Sequence, residues 1–144
     1  MAQPHHCPFT TLSPTVGITN IGNTCFMNSS VQALSAVEPL AAYFLGGRHV
    51  KDINKTNPLG KGGAAAVEFA STLKKLWCDK HAVNGTTIMR LKSVTATSSY
   101  GAHIFRGFAQ EDAQEWLNQL IDTLHEDLNL VKNKLYAEEK VRAC

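Results

Sequence analysis

The chain has no long apolar run and no dense run of charge of one sign. No stretch approaches the roughly 20 apolar residues that cross a bilayer, and no charged n-region followed by an apolar h-region opens the sequence. The formal charge is +2 and the lysines are scattered, whereas a nucleic-acid-binding surface typically carries a dense basic stripe. We therefore expect neither a membrane nor a nucleic acid as a partner.

The chain also lacks a C-x-x-C pair, which argues against a structural zinc site. Its four cysteines are Cys7, Cys25, Cys78 and Cys144. His5, His6 and Cys7 are adjacent and can ligate a metal, but a terminal tail is the favoured interpretation of this segment. We therefore expect no cofactor and no metal. Because unpaired cysteines fit a reducing compartment, we also expect an intracellular protein, cytoplasmic or nuclear.

Composition and hydropathy favour one ordered, mainly α-helical domain. At 144 residues, with 44% apolar and 18% charged residues, the chain is long enough to bury a core. No segment shows a convincing alternation of apolar and polar residues, which is the pattern of a half-buried strand. The two ends differ from the rest. Residues 1–16 contain three prolines and are predicted to be an extended arm, and residues 131–144 form a mostly charged tail.

Apolar spacing and breaker residues predict five helices. They cover residues 24–37, 40–45, 64–80, a short stretch that begins at Thr86 or Thr87, and residues 111–130. We expect Asn23 or Thr24 to cap the first helix and Pro39 to separate the first two. Residues 46–63, with five glycines, and residues 93–103, rich in serine and threonine, are predicted loops.

The last predicted helix has the strongest pattern. Its apolar residues follow i, i+3, i+4 and i+7 spacing: Ala113, Trp116, Leu117, Leu120, Ile121, Leu124 and Leu128. Glu111, Asp112 and Glu115 fall in its opening turns, where carboxylates favour the positive end of the helix dipole. On a helical wheel Asp112 and Gln114 flank the apolar stripe, so both can face a neighbouring groove.

Cys25 lies where a polar loop is predicted to become a helix, a location that suits a nucleophile. The partial positive charge of backbone N–H groups at a helix N-terminus favours a thiolate. Gly22 lets the backbone turn tightly beside the thiol, and Asn20 supplies an amide that can donate to an oxyanion. Two other interpretations remain open: Cys25 as a small buried apolar residue, and Asn20 as a turn residue only.

Two segments resemble sequence boxes of the ubiquitin-specific proteases, which are papain-like deubiquitinating enzymes. The cysteine box covers residues 17–34, with Gly17-Ile18, Asn20-Ile21-Gly22-Asn23-Thr24-Cys25-Phe26-Met27-Asn28-Ser29 and Val31-Gln32-Ala33-Leu34. The QxDAQE box covers residues 108–128, with Phe108-Ala109-Gln110-Glu111-Asp112-Ala113-Gln114-Glu115-Trp116-Leu117, Leu120-Ile121-Asp122 and Leu124-His125-Glu126-Asp127-Leu128. The order and separation of the boxes also resemble the family, so the chain is identified as a member.

The resemblance implies a role for four residues. Cys25 matches the nucleophile, and Asn20 matches the residue whose side chain helps to form the oxyanion hole. Asp112 and Gln114 match positions that line the channel for the C-terminal tail of ubiquitin, although Asp112 can equally be only a carboxylate that favours the helix dipole. The implied partner is therefore ubiquitin or a ubiquitinated protein.

The chain departs from the family pattern in what it lacks. The family's general base is a histidine in a separate downstream box, and none of the six histidines here has such a setting. His125 matches a structural position, and His103 precedes the QxDAQE box. The strand-rich half of the family fold is absent, and Trp116 stands where the family usually has phenylalanine. The resemblance thus implies the helical, thumb-like N-terminal half of a papain-like α+β domain, spanning residues 17–130.

Three hypotheses from different classes remain after this comparison. The first is a segment of a cysteine-type deubiquitinase that depends on the missing C-terminal half and is inactive alone, since general acid–base help worth about 10²–10⁴-fold is absent. The second is a non-catalytic module that binds ubiquitin or another partner. The third is a plain helical assembly domain in which Cys25 has no chemical role. An exposed apolar face is expected in the first case, because the missing half would cover it.

Overall fold

The computed structural model describes residues 16–79, 81–96, 105 and 107–131 of the chain. Six helices are found in this part: α1 (Cys25–Ser35), α2 (Glu38–Leu45), α3 (His49–Asp52), α4 (Ala64–Cys78), α5 (Gly85–Thr95) and α6 (Ala113–Asp127). Extended pairing in the same residues is limited to one isolated parallel bridge between Ile18 and Val83. The prediction of a mainly α-helical fold is confirmed. Apart from Val16 and Val131, the predicted arm and tail lie outside the described residues.

The helix boundaries differ from the predicted ones where a capping or breaking residue was misjudged. Pro39 lies in the first turn of α2, where a backbone N–H would have no acceptor within the helix. Proline is therefore tolerated there and does not separate the two helices. Asn84 caps α5, whose helix extends to Thr95 and therefore into the predicted loop. The remainder of that loop, from residue 97 to 103, lies outside the described residues. Asp112 caps α6, which consequently begins two residues later than predicted.

The short helix α3 lies within the segment that its glycines predicted to be a loop. The Tyr43 hydroxyl donates to Asp52 Oδ2 at 2.6 Å and joins α2 to the end of α3. Burial, this hydrogen bond and the nearby carboxylate together raise the pKa of Tyr43 to about 12. His49 is buried in the same turn, with its ring centroid 5.0 Å from that of Phe44. These tertiary contacts, rather than local propensity, hold the helical turn.

The core forms where α1, α4 and α6 meet. α1 packs along α6, and α4 contacts α2, α5 and α6. The largest fully buried side chains come from these elements: Met27 and Val31 of α1, Phe69, Leu73 and Leu76 of α4, Ile88 and Leu91 of α5, and Trp116 and Leu120 of α6. The predicted apolar stripes are confirmed in outline, although Val67 and Ile121 are 50% and 44% exposed. The two boxes are therefore brought together by the α1–α6 contact.

The segment that leads to Cys25 is held against the start of α5. The Thr19 N–H donates to the Val83 carbonyl at 2.9 Å, and the Val83 N–H donates to the Gly17 carbonyl at 2.8 Å. Gly85 lies so close that a Cβ atom on it would be 2.6 Å from the Thr19 carbonyl oxygen. Glycine is required at this position because any side chain would displace the backbone four to six residues before Cys25.

The cysteines are not all unpaired. Cys25 is a free thiol, whereas Cys78 is disulfide-bonded. The expectation of unpaired cysteines is therefore wrong for Cys78, which does not support a reducing compartment. Spacing along a sequence does not report which Cβ atoms come within the roughly 4 Å that a disulfide requires. Cys78 ends α4 and lies half-buried against the core, a position that only the tertiary packing defines.

An apolar groove of about 480 Å³ lies between α2 and the C-terminal part of α6. Its lining includes Leu40, Tyr43, Ile121, Leu128 and Leu130. Leu130 is 69% exposed, so the groove opens to solvent. None of the described helices is long and apolar enough to cross a bilayer.

Acidification is expected to destabilise the fold through His49. Burial lowers the pKa of this imidazole, although the Phe44 backbone and Asp52 oppose the shift. The unfolded chain therefore binds more protons below pH 6.5, and the free energy of unfolding falls with decreasing pH by at most about 1.4 kcal/mol per pH unit. Urea unfolding at pH 7 and pH 5 measures the difference, which should be smaller in His49→Phe and unchanged in the exposed His81→Ala. An equal loss in the wild type and His49→Phe would contradict this assignment.

Candidate active site

Cys25 is the first residue of α1, and its side chain is exposed. The interpretation of Cys25 as a small buried apolar residue is therefore wrong. The chain enters α1 through a tight turn in which Gly22 and Asn23 have positive φ angles of 106° and 44°. A positive φ is rare outside glycine, and asparagine is among the few residues that adopt it readily. This turn presents the thiol to solvent while Phe26 and Met27, the next two residues, enter the core.

Asn20 holds this turn with its side-chain carbonyl. Its Oδ1 atom accepts from the Gly22 N–H at 3.0 Å, the Thr24 N–H at 3.4 Å and the Thr24 hydroxyl at 2.9 Å. Because backbone N–H groups are obligatory donors, the amide orientation is defined: the oxygen faces the turn and the NH₂ group faces away. The turn role of Asn20 is thus present in the structure, and it leaves two N–H donors for another acceptor.

The expectation that Asn23 or Thr24 caps α1 with its side chain is wrong. Thr24 occupies the N-cap position, but its hydroxyl donates to Asn20, and no side chain caps the helix. The Asn23 side chain instead donates from Nδ2 to the Phe108 carbonyl at 3.1 Å. The first-turn N–H groups of α1, including that of Cys25, are consequently not used by a capping side chain. Such N–H groups bind anionic ligands.

Residues 107–112, which we call the 107–112 loop, lie across the turn that carries Cys25. The Cys25 thiol donates to Gln110 Oε1, with Sγ and Oε1 3.2 Å apart. Together with the bond from Asn23 to Phe108, this contact joins positions 85 residues apart in the sequence. The QxDAQE box therefore touches the cysteine box at the thiol itself. Gln110 belongs to the QxDAQE box, but its position in the sequence did not predict a contact with the thiol.

Lys92 anchors the other end of this loop. Its ammonium group donates to the Gly107 carbonyl at 2.5 Å and lies 5.8 Å from the centre of the Phe108 ring. Burial lowers the pKa of Lys92, while the carboxylate of Glu111 acts in the opposite direction. A buried lysine is uncommon and is tolerated when a carbonyl and an aromatic face receive its charge. No local pattern in α5 predicted this contact.

Asp112 and Gln114 lie exposed at the start of α6, close in sequence to the residue that contacts the thiol. Asp112 Oδ1 accepts from the backbone N–H groups of Gln114 and Glu115 at 2.7 and 2.9 Å. Asp112 therefore caps α6 at the positive end of the helix dipole, which agrees with the dipole role predicted for it, although a side-chain cap was not predicted. Both capping bonds use Oδ1 and leave Oδ2 out. Ser30 of α1 donates to the Ala113 carbonyl at 3.1 Å and ties the helix start to α1.

None of the described histidines is hydrogen-bonded to the thiol, whose partner is Gln110. His49 is buried, and its ring contacts that of Phe44 in α2, whereas His81 and His125 are exposed. His5, His6 and His103 lie outside the described residues. Within the described part of the chain the hydrogen bond of Cys25 goes to Gln110, and no group of three potential metal ligands is found.

The site therefore combines an exposed thiol at a helix N-terminus, an amide beside the turn that enters the helix, and a facing loop that carries two carboxylates. A family profile described as "Ubiquitin carboxyl-terminal hydrolase" (UCH) matches residues 16–142. The chain belongs to this family.

Individual relatives agree with the family match. The chain is 44% identical over 126 residues to ubiquitin carboxyl-terminal hydrolase 32 of Homo sapiens, with 86% of the chain and 7% of the relative covered. It is 46% identical over 121 residues to ubiquitin carboxyl-terminal hydrolase 8 of Arabidopsis thaliana, with 84% and 13% covered. The chain thus spans a small part of the length of these relatives.

Solved structures support the fold. The chain superposes on the structure of the SAGA Ubp8/Sgf11/Sus1/Sgf73 DUB module bound to ubiquitin aldehyde with a TM-score of 0.59 and 19% identity, covering 83% of this chain and 25% of that one. The same module with Ubp8(C146A), bound to monoubiquitin, gives a TM-score of 0.63 and 17% identity, covering 92% and 28%. The likeness confirms that the helices form the helical part of this kind of domain.

Proposed function

We propose that the chain carries the nucleophile half of a cysteine-type deubiquitinase, which hydrolyses the (iso)peptide bond after the C-terminal glycine of ubiquitin. The observation that carries this proposal is the free, exposed Cys25 at the first position of α1, held against the QxDAQE box in a member of the UCH family. Such a position favours nucleophilic attack, because the sulfur is accessible and the helix N-terminus attracts negative charge.

In the proposed reaction the Cys25 thiolate attacks the carbonyl carbon of the terminal glycine. The carbonyl oxygen becomes an oxyanion, and the Asn20 NH₂ group and the Cys25 backbone N–H are its proposed donors. Removal of one such donor typically costs about 3 kcal/mol of transition-state stabilisation. The C–N bond then breaks, the amine leaves with a proton, and water hydrolyses the resulting thioester of Cys25.

Asp112 and Gln114 are the proposed contacts for the ubiquitin tail. Both are exposed at the edge of the 107–112 loop, and Asp112 keeps one carboxylate oxygen free of its capping bonds. A carboxylate there complements a basic peptide that ends in two glycines. We also propose that residues 17–130 form the partial catalytic domain. An intracellular location, cytoplasmic or nuclear, is proposed because Cys25 must remain reduced to act.

General acid–base catalysis is proposed to come from another part of the catalytic domain. The thiol contacts Gln110, which cannot accept a proton from it at neutral pH, and turnover by this chain alone should be low by about 10²–10⁴-fold for the missing base. The exposed apolar groove beside α6 supports this proposal, because another part of the catalytic domain would cover it. The absence of a contacting base among the described residues also favours one alternative, a non-catalytic module that binds ubiquitin.

A ubiquitin probe with a cysteine-reactive group at its C-terminus tests the proposal. We expect an adduct at Cys25, identified by peptide mass spectrometry, that is lost in Cys25→Ala and retained in Cys7→Ala. Asp112→Ala should weaken labelling without changing Cys25 reactivity toward a small alkylating reagent. Ubiquitin binding without an adduct would instead support the interaction module. Absence of both would leave a plain helical domain.

A further inference from the structure

We propose that Lys92 is a positioning residue that holds the 107–112 loop in place for the ubiquitin tail. The inference deepens the proposed function and rests on it in one respect: it takes this loop, which ends at Asp112, as part of the surface that receives the tail. Its basis is a buried ammonium group that contacts the loop and that the proposed reaction does not use.

Lys92 places a charge where packing alone would favour an uncharged side chain. The residue is 5% exposed, and burial of an ammonium group is costly unless the group is paired. A methionine of similar length would fill the same space without that cost. The lysine is therefore explained by what its ammonium group contacts rather than by the volume that it fills.

The ammonium group acts on three residues of the loop. It donates to the Gly107 carbonyl at 2.5 Å, lies 5.8 Å from the centre of the Phe108 ring and is attracted by the Glu111 carboxylate. Phe108 is 79% exposed, so its position is not fixed by burial in the core. A single buried side chain therefore restrains the exposed first half of the loop.

Lys92 differs from the other donors to this loop in its place in the fold. The Asn23 side chain donates to the Phe108 carbonyl and the Cys25 thiol donates to Gln110, but both donors are exposed and belong to the turn that carries the nucleophile. Lys92 belongs to α5, which packs against α4 in the core. Of these three contacts it is the one that fixes the loop relative to the core.

The ubiquitin probe tests this role when its labelling rate is measured against probe concentration. Lys92→Met removes the ammonium group and keeps most of the volume. A released loop must be ordered when the tail binds, so we expect the probe concentration for half-maximal labelling to rise by about 10-fold. The maximal labelling rate should stay unchanged, as for a loss of binding alone.

Two comparisons separate this effect from general damage to the structure. Alkylation of Cys25 by iodoacetamide should be unchanged in Lys92→Met, because the turn that carries the thiol keeps its hydrogen bonds to Asn20. Lys74→Met, an exposed change on α4, is the matched control and should leave both reactions unchanged. Far-ultraviolet circular dichroism checks that each variant is folded.

Limited digestion with chymotrypsin measures the anchoring without ubiquitin. This protease accepts aromatic side chains in its specificity pocket, and a loop held at both ends is cleaved slowly because it must open to enter the protease. We expect cleavage after Phe108, identified by mass spectrometry, to be several-fold faster in Lys92→Met than in the wild type and in Lys74→Met.

An unchanged cleavage rate in Lys92→Met would overturn the proposal, since the loop would then be held without the lysine. Faster cleavage with an unchanged affinity for the probe would also contradict it, as would parallel losses of probe labelling and alkylation, which indicate a general structural role. If the probe does not label the wild type, the deubiquitinase proposal fails by itself, whereas faster cleavage in Lys92→Met still supports the anchoring of the loop by Lys92.

Discussion

Replacement of Asp127 with alanine is expected to lower the free energy of unfolding by about 3–5 kcal/mol. Asp127 is fully buried at the end of α6, and its carboxylate caps a different helix. It accepts from the backbone N–H groups of Lys61, Ala65 and Ala66 at 2.5, 2.9 and 3.3 Å. Since α4 has no capping side chain of its own, the substitution would leave these buried donors without a partner.

Urea unfolding followed by circular dichroism at pH 7 measures this loss. Asp127→Asn keeps the shape but removes the charge and turns an NH₂ group toward other donors, so we expect an intermediate effect. Asp122→Ala is the matched control, because Asp122 is an exposed acid on the same helix. Its effect should stay within about 0.5 kcal/mol. Similar unfolding free energies for Asp127→Ala and Asp122→Ala would show that the cap contributes little.

Replacement of Trp116 with alanine is also expected to lower the free energy of unfolding, by about 3–5 kcal/mol. Trp116 is fully buried between α6 and α1, and its ring meets that of Phe26 edge-to-face at 6.3 Å. Phe26 directly follows Cys25 and also stacks on Phe105 at 6.4 Å. A cavity at Trp116 would therefore loosen the contact that holds the two boxes together.

Trp116→Phe separates packing from hydrogen bonding at the same site. The indole Nε1 is buried without a hydrogen-bond partner among the described residues. Its removal therefore offsets part of the free-energy cost of the lost packing volume. We expect Trp116→Phe to cost less than about 1.5 kcal/mol, as volume-similar apolar exchanges do. Urea unfolding of both variants measures the difference. If Trp116→Phe were as destabilising as Trp116→Ala, a single aromatic ring would not be enough to fill the site, and the full volume of the indole would be required.

Local patterns along the chain predicted much of the helical structure. The apolar periodicity of residues 113–128 corresponds closely to α6, and that of residues 64–80 to α4. Errors occurred where local signals had two interpretations. Proline breaks a helix in its interior and fits its first turn, and the glycines near α3 predicted a loop that tertiary contacts convert into a helical turn.

The acidic end of α6 illustrates why other features were not predictable. A carboxylate at a helix C-terminus is locally unfavourable, since it adds negative charge to the negative end of the dipole. Asp127 is tolerated because its side chain reaches the N-terminus of α4, where the dipole has the opposite sign. Helical periodicity contains no information about which helix ends will meet.

The amino-acid sequence was enough to predict most of the helices, the position of Cys25 where a loop becomes a helix, and the family, because each depends on residues within one or two short segments. The groups that surround the Cys25 thiol are set by tertiary packing instead. Gln110 and Asn23 reach across 85 positions to join the two boxes, and Lys92 secures the 107–112 loop from a third helix. Such contacts depend on how α1, α5 and α6 pack, and packing is a property of the whole core rather than of any one segment.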